Sequence, residues 1–577
     1  FSSVRVEGND LDGRFVQIRG SDPDEVNVYV DGVLINNLGF NNSADLTIVP
    51  TESIEKLEVL KGANLTLLGR GAFGGVVNIN TKRRFNRSIG LQMKRGSFEN
   101  RYLLSEINWP LSSKLYINYF GQINSFIPEI EYFPGESFSD KTPATSIKTA
   151  KQNHSLNLNY FTHGGIINAK FIGYFLDYTK PFWESNRKNY LLAFSYKGAL
   201  LGMKDFDFVW NVFRSDAQLK RNPAGSANFF SGYQTSRMNI KFAKKFLLKG
   251  FEIHTLGEYF HDELDSDLKV EDQNYSNTLY NALLYENRGS IGAVFAHSDF
   301  IESIQGLSWR TFLGMRADFV SSGNNEFLPT VGFQLDWKKT LWSLSPYVNY
   351  GKNVKYPTLF ENAYLRDITT TSHGDTLFKR LEPEYNNSAE LGMKISYKSG
   401  GDIFRQMDIA IAIFSSTVYN KLLKRPFDDL MASAQTGRNV TRGFEASVKF
   451  NRVLNYFQLF AGYTGLNIED PFLYPYKPDE RVSSQLDFSL PVGFYLTQRY
   501  FYEGKSSAWF YDLDNNFQTV EITPFYDIDL AFGYRFNISR LNFNLQFAGY
   551  NLLDNAGFQY YYLKKRYLQV SFSVKFL

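Results

Sequence analysis

The feature that most constrains this chain is an alternation of period two that continues to its last residues. In Tyr526–Phe536 one side of the extended chain carries Tyr526, Ile528, Leu530, Phe532, Tyr534 and Phe536, and the other Asp527, Asp529, Ala531, Gly533 and Arg535. Leu541, Phe543, Leu545 and Phe547 oppose Asn542, Asn544 and Gln546 in the same way. The final segment sets Leu568, Val570, Phe572, Val574 and Phe576 against Gln569, Ser571, Ser573 and Lys575. Residues two apart share one face of a strand. The apolar faces carry large aromatics; the polar faces carry acids, amides and small residues. A soluble barrel turns its apolar side inward, whereas this distribution suits lipid outside and a polar lumen inside. The 53 Phe and 37 Tyr provide material for aromatic girdles.

The pattern repeats in roughly 22 segments of about 9–14 residues, enough to cross a bilayer at a tilt. Their connections alternate in length. Short ones fall near Pro110–Ser113, His163–Gly165, Lys249–Gly250, Lys338–Lys339, Ser399–Gly401, Pro491–Gly493 and Asn537–Ser539. Long ones fall around 126–151, 216–233, 264–288, 355–385, 419–437, 468–480, 505–524 and 552–566. Short turns on one side and long loops on the other are the arrangement of an outer-membrane barrel. No apolar run of about 18 residues offers a spanning helix. A backbone in lipid must then close on itself, because every peptide group needs a partner.

A barrel of that size is too wide to be filled by its own side chains. The pattern changes near Lys82, and residues 1–82 are short mixed segments rich in Val, Ile, Gly and Asn. The expected fold is therefore an all-β transmembrane protein. Residues 85–577 form an antiparallel outer-membrane β-barrel of about 22 strands, and residues 1–84 form a small α+β domain plugging its lumen. The net charge of +3 gives no reason to expect nucleic acid as a partner. Absence of cysteine excludes a disulfide scaffold and thiolate-ligated metal. Phe1 opens directly into polar sequence, as in a secreted chain that has lost its leader.

Four stretches in residues 14–82 resemble the plug domain of TonB-dependent receptors. They are Phe15-Val-Gln-Ile-Arg-Gly20, Val26-Asn-Val-Tyr-Val-Asp-Gly32, Ile54-Glu-Lys-Leu-Glu-Val-Leu-Lys-Gly62, and Leu68-Gly-Arg-Gly-Ala-Phe-Gly-Gly-Val-Val-Asn-Ile-Asn-Thr-Lys82. Looser matches in the barrel are Tyr356–Phe360, Leu381–Gly392, Arg442–Glu445 and Tyr550–Asn555. The resemblance implies a 22-stranded barrel, periplasmic termini, and import of a scarce nutrient energised by the TonB complex of the inner membrane. It implies residence in the outer membrane of a Gram-negative-type bacterium, surrounded by lipid. A ferric siderophore or similar metal chelate is the family's usual ligand, and a lipoprotein partner is compatible with it. The family's plug ordinarily begins several dozen residues earlier, after a TonB-binding segment. That first portion is expected to be missing here.

The resemblance also assigns residues. Arg19 and the basic residue at Lys61 are expected to meet barrel glutamates in a buried charge cluster, with Glu390 and Glu445 in the matching barrel motifs as partners. Lysine at 61 departs from the usual arginine and loses a bidentate fork. The ordinary alternative is a set of lumen charges bathed in water. The stretch from Asn36 tends to reach the plug apex in this family, so Phe40, Asn41 and Asn42 are candidate ligand contacts, or else a solvated loop. Tyr474, Tyr476, Tyr560, Tyr561 and Tyr562 sit in long connections. There they would grip a ring-bearing ligand, or else build the upper girdle and pack loop to loop.

Other constellations are weaker. Gly69-Arg-Gly71 lacks the lysine and serine of a phosphate loop. His254 and His261 flank one strand without metal spacing, and His373 is the only histidine downstream of Lys355-Tyr-Pro-Thr358, where haem receptors of this family carry their motif. The acids Asp262, Glu263, Asp265, Asp267, Glu271 and Asp272 read as a solvated loop or a Ca²⁺ site. No nucleophile elbow or His-Glu-x-x-His stretch points to an enzyme. No cofactor or resident metal is expected. Two further readings stay open: a plugged barrel acting as a structural or signalling subunit, and a barrel enzyme with a Ser-His pair at the lumen edge.

Overall fold

The computed structural model describes the chain apart from residues 1–2, 10–12, 40–42, 63–70, 128–147, 181–182, 201–202, 222–227, 249, 272–277, 302–303, 322, 365–366, 371–375, 380, 400, 402, 404, 424–433, 436, 512–516 and 556–565. From Ser88–Gly96 onward, 22 antiparallel strands pair in sequence order. The last, Tyr567–Phe576, pairs with the first, Phe572 opposite Met93, so the barrel has no free edge. Closure satisfies the backbone that lipid could not. The faces divide as the alternation requires: in Phe525–Ile538, Phe532 and Tyr534 are exposed outward while Asp527 is buried.

Around the wall the strands differ greatly in length. Met203–Arg221, Asn228–Leu248, Phe251–Glu271 and Thr278–Phe300 run 19, 21, 21 and 23 residues. At about 3.3 Å per residue such strands reach roughly 70 Å, well beyond the bilayer. This corrects the long loops expected over 216–233 and 264–288. Polar residues continue the alternation there, so paired strands persist above the membrane where no lipid demands an apolar face. Within the long connection at 505–524, Ser506–Tyr511 pairs with Phe517–Ile522 as a small hairpin.

The first domain contains a four-stranded sheet. In spatial order its strands are Val33–Leu34, Val26–Val30, Gly75–Thr81 and Ile54–Lys61. Val26–Val30 and Gly75–Thr81 are parallel. Asp31 and Gly32, both at positive φ, make the tight turn between the first two strands. A separate hairpin joins Val4–Asn9 to Gly13–Ile18. Among the described residues the helical part amounts to three 3-10 turns. Val28, Val30, Val77 and Ile79 form the core and pack directly on Ile172, Tyr174 and Leu191 of the barrel wall.

The junction between the two parts is held by an amide ladder. Asn118 Nδ2 donates to Arg84 O (2.7 Å) and to Asn108 Oδ1 (2.9 Å). Asn159 donates to Asn118 Oδ1 (2.9 Å), and Asn168 to Asn159 Oδ1 (3.0 Å). All four asparagines are buried. Leucine at 118 would leave partners unsatisfied, each costing about 1–3 kcal/mol. Asn118→Leu is therefore expected to lower the guanidinium midpoint of the protein in micelles.

Candidate functional site between plug and barrel

Several of the charged contacts between plug and barrel gather at one short segment, Ile18–Glu25. After Ile18 the chain must leave the hairpin sharply. Arg19 (φ 57°) and Gly20 (φ 75°) both adopt the left-handed conformation that does this. A non-glycine residue held there is strained, and its surroundings have to fix it. They do so by ion pairing. Arg19 Nε and Nη2 donate to the two oxygens of Glu445 (2.9 and 3.2 Å), and Nη1 donates to Glu390 Oε2 (2.9 Å). Lys61 Nζ donates to Glu445 Oε2 (2.7 Å) and Ser3 Oγ (2.8 Å). The structure thus brings Arg19, Lys61, Glu390 and Glu445 together.

Two further barrel residues complete this cluster and carry no local sequence signal. Tyr347 donates to Glu390 Oε1 (2.6 Å), and the Phe414 ring centroid lies 4.2 Å from the Arg19 guanidinium carbon. Burial works against the charge on Arg19, but Glu445 and Glu390 raise the guanidinium above its ordinary range. At Lys61 burial prevails over the pull of Glu445, and the amine sits below its ordinary value. The bidentate arginine is the tighter member of the pair. Gly62, at φ +79°, leaves no space for a Cβ, which would overlap Glu390 Oε2. Gly62→Ala is expected to destabilise the plug's seat by about 1–3 kcal/mol, visible as earlier loss of amide protection in residues 54–62.

A second ionic layer adjoins the first. Asp22, Asp24 and Glu25 flank and form the 3-10 turn Pro23–Glu25. Lys421 Nζ reaches Glu25 Oε1 (2.6 Å) and Asp22 Oδ2 (2.8 Å). Lys477 reaches Asp22 Oδ1 (3.1 Å), and Lys355 bridges Asp24 (2.8 Å) and Glu384 (2.9 Å). Burial pushes the Glu25 carboxyl up. It acts the same way on Asp22, but Lys421 and Lys477 hold that carboxyl below its ordinary value. These lysines belong to three long connections or strand ends on the loop side. Ile18–Glu25 therefore contributes to both layers, with Lys61 adding to the first.

Tyr474 belongs to this layer. It is buried, its hydroxyl donates to Glu25 Oε1 (3.0 Å), and its ring centroid lies 4.5 Å from Lys421 Nζ. Tyr476, at φ 63°, ties the loop to the plug, its carbonyl accepting from Arg5 Nη1 (3.1 Å). Phe40, Asn41, Asn42, Tyr560, Tyr561 and Tyr562 lie outside the described residues. Asn36, just before the first three, is buried and braces the sheet through Val28 N and Val26 O (both 2.9 Å).

From Asp262 to Asp267 the acidic run is strand rather than loop, so these members alternate in direction, and Asp272 lies outside the described residues. Asp262 faces inward and accepts two bonds from Arg237 (2.8 and 3.0 Å). Glu263 pairs with His261 (3.0 Å) on the other face. His254 and His261 fall on opposite faces for the same reason, seven residues apart on one strand. Among the described residues no group of three or more His, Cys, Asp or Glu is arranged to hold a metal. His373 lies outside them.

Residues 96–552 match the TonB dependent receptor-like β-barrel family, and residues 1–76 match the TonB-dependent receptor plug domain. A protein named as the probable TonB-dependent siderophore receptor PirA of Acinetobacter baumannii is 37% identical over 101 residues, a match spanning 15% of this chain and 13% of that protein. The crystal structure of the siderophore receptor PirA from A. baumannii superposes with a TM-score of 0.72 at 16% identity, covering 100% of this chain and 95% of that one. A variant of the ferric enterobactin receptor PfeA of Pseudomonas aeruginosa gives 0.75 at 16%, covering 100% and 94%. The copper transporter OprC gives 0.77 at 13%, covering 100% and 95%. With matched plug and barrel families together spanning most of its length, the chain belongs to the TonB-dependent receptors.

Proposed function

We propose that this protein imports a scarce nutrient across the outer membrane of a Gram-negative-type bacterium, with a ferric siderophore or similar metal chelate as ligand. The observation that carries the reading is the buried Arg19–Glu390–Glu445–Lys61 cluster. It seats a removable domain in the lumen through charge rather than through apolar packing alone. Such a contact is strong while complete and fails together when one partner is withdrawn. The ligand is held between the long loops and the plug apex, where Phe40, Asn41, Asn42, Tyr560, Tyr561 and Tyr562 are the candidate contacts. Traction by TonB on the plug breaks the cluster and opens a path along the wall.

The test is growth of an iron-starved strain lacking its other iron receptors, on a panel of ferric tricatecholate, trihydroxamate and carboxylate chelates. At least one chelate should support growth only when this protein is present. Growth on none, with cobalamin and copper chelates also inert, would favour a structural or signalling subunit instead.

A further inference from the structure

The short-turn rim of the barrel, which faces the periplasm, is not uniform. Three successive turns stand side by side at residues 338–342, 398–405 and 452–456. They join Glu326–Lys338 to Trp342–Lys355, Glu384–Lys398 to Gln406–Tyr419, and Arg438–Val453 to Phe457–Ile468. Backbone bonds run from turn to turn. Lys398 N donates to Leu341 O (2.8 Å), and Leu454 N donates to Ile403 O (2.7 Å). The three turns therefore form one continuous surface.

Lys338, Lys339, Lys398, Arg405 and Arg452 are all exposed on it. The described residues of these turns include no acid, and Asp402 lies outside them. The nearest described acids, Asp336 and Asp408, turn to the lumen side, where they accept from Gln334 (2.9 Å) and Gln406 (2.8 Å). Between the cations stand Leu341, Ile403 and Leu454, 44%, 69% and 55% exposed. An outward aromatic band adjoins them. The Trp342 and Tyr397 rings lie 4.4 Å apart, and Lys339 Nζ is 5.9 Å from the Trp337 ring centroid. Other turns of the rim differ. Residues 111–114 carry one cation, residues 490–493 carry no charge, and Lys197 has Asp207 beside it (3.7 Å). Tryptophan settles at the headgroup level of a membrane. Aliphatic tips standing in water cost free energy that a lipid interface would remove.

We propose that this part of the rim binds the headgroup of an acidic phospholipid, of the phosphatidylglycerol class, in the inner leaflet. Trp337 and Trp342 set the depth. Leu341, Ile403 and Leu454 enter the ester region, and the lysines and arginines reach the phosphate on their long apolar stems. A zwitterionic headgroup carries its own ammonium and leaves the five cations unbalanced, whereas a net-negative phosphodiester offsets them. A soluble polyanion matches the charge but leaves the three aliphatic tips in water. The proposal rests on the orientation of the barrel in its membrane and is independent of import.

Native mass spectrometry of the whole protein, in micelles holding equal amounts of phosphatidylglycerol and phosphatidylethanolamine, tests it. Bound phosphatidylglycerol should exceed bound phosphatidylethanolamine about tenfold. Replacing Lys338, Lys339, Arg405 and Arg452 together by glutamine should bring the ratio to within about twofold, with heat-modifiability kept. Lys114→Gln with Arg540→Gln, elsewhere on the rim, should leave the ratio unchanged. In vesicles, brominated phosphatidylglycerol should quench tryptophan fluorescence more than brominated phosphatidylethanolamine at the same mole fraction. That excess should vanish in Trp337→Phe/Trp342→Phe. Equal binding of the two lipids by the wild type, or an undiminished preference in the fourfold variant, would overturn the proposal. Co-sedimentation with isolated murein that the fourfold variant loses, without any lipid preference in the wild type, would assign the surface to the cell wall and overturn it as well.

Discussion

Removing residues 1–84 is expected to turn the barrel into an open pore whose conductance in planar bilayers exceeds that of the whole protein by an order of magnitude or more. The physical basis is the width of a 22-stranded wall. Its interior side chains leave the axis empty, and the plug with its buried core fills that space. The wall should survive the deletion, because the strand Tyr567–Phe576 closes on Ser88–Gly96 through backbone bonds that involve no plug residue. The cost falls on the lumen face. Tyr174 and Leu191 would become wet, and Lys170 would lose Asp31. A deletion variant that inserts, stays heat-modifiable and conducts no better than the whole protein would contradict the placement of residues 1–84 in the lumen.

The second large effect is expected at Arg19. Arg19→Ala removes the only arginine of the cluster and leaves Glu390 and Glu445 buried with Lys61 and Tyr347. Breaking a buried pair by deleting one partner costs about 3–5 kcal/mol. That corresponds to roughly a hundred- to several-thousand-fold rise in the fraction of plugs with the seat open. Hydrogen exchange of residues 13–25 and 54–62 should accelerate by that order, while exchange in the barrel strands stays unchanged. Arg19→Lys should fall in between, since an ammonium cannot engage Glu445 through two parallel bonds and reach Glu390 as well. Glu445→Gln should act similarly to Arg19→Ala and add little in the double variant, because both changes break the same contact. Independent, additive effects would show that the cluster is a set of separate lumen charges.

How much of this was legible in the sequence depends on the range of the signal. Period two is local, so Tyr526–Phe536 and the last ten residues declare both their strand and its two faces without reference to the rest of the chain. Strand length above the membrane is not local. In Phe251–Glu271 the outward positions past Tyr259 turn polar, and a polar alternation reads equally as loop. The meeting of Arg19 and Lys61 with Glu390 and Glu445 could not be derived from spacing, since Arg19 and Glu445 lie 426 positions apart; it came into view through resemblance alone. The second ionic layer had no such guide. Asp22-Pro-Asp-Glu25 looks like any acidic turn until three lysines from distant connections close on it. Tyr474 shows the same limit in reverse. A tyrosine in a long loop looks the same whether it faces a ligand or, as here, bends down to donate to Glu25.

The central claim is energised import through a displaced plug. The most direct test is uptake of a radio-iron chelate by cells carrying this protein as their only iron receptor, compared with and without TonB. Saturable accumulation that requires TonB, with surface binding unchanged in its absence, is the predicted result. Accumulation no greater than in cells lacking the protein, or undiminished without TonB, would contradict it.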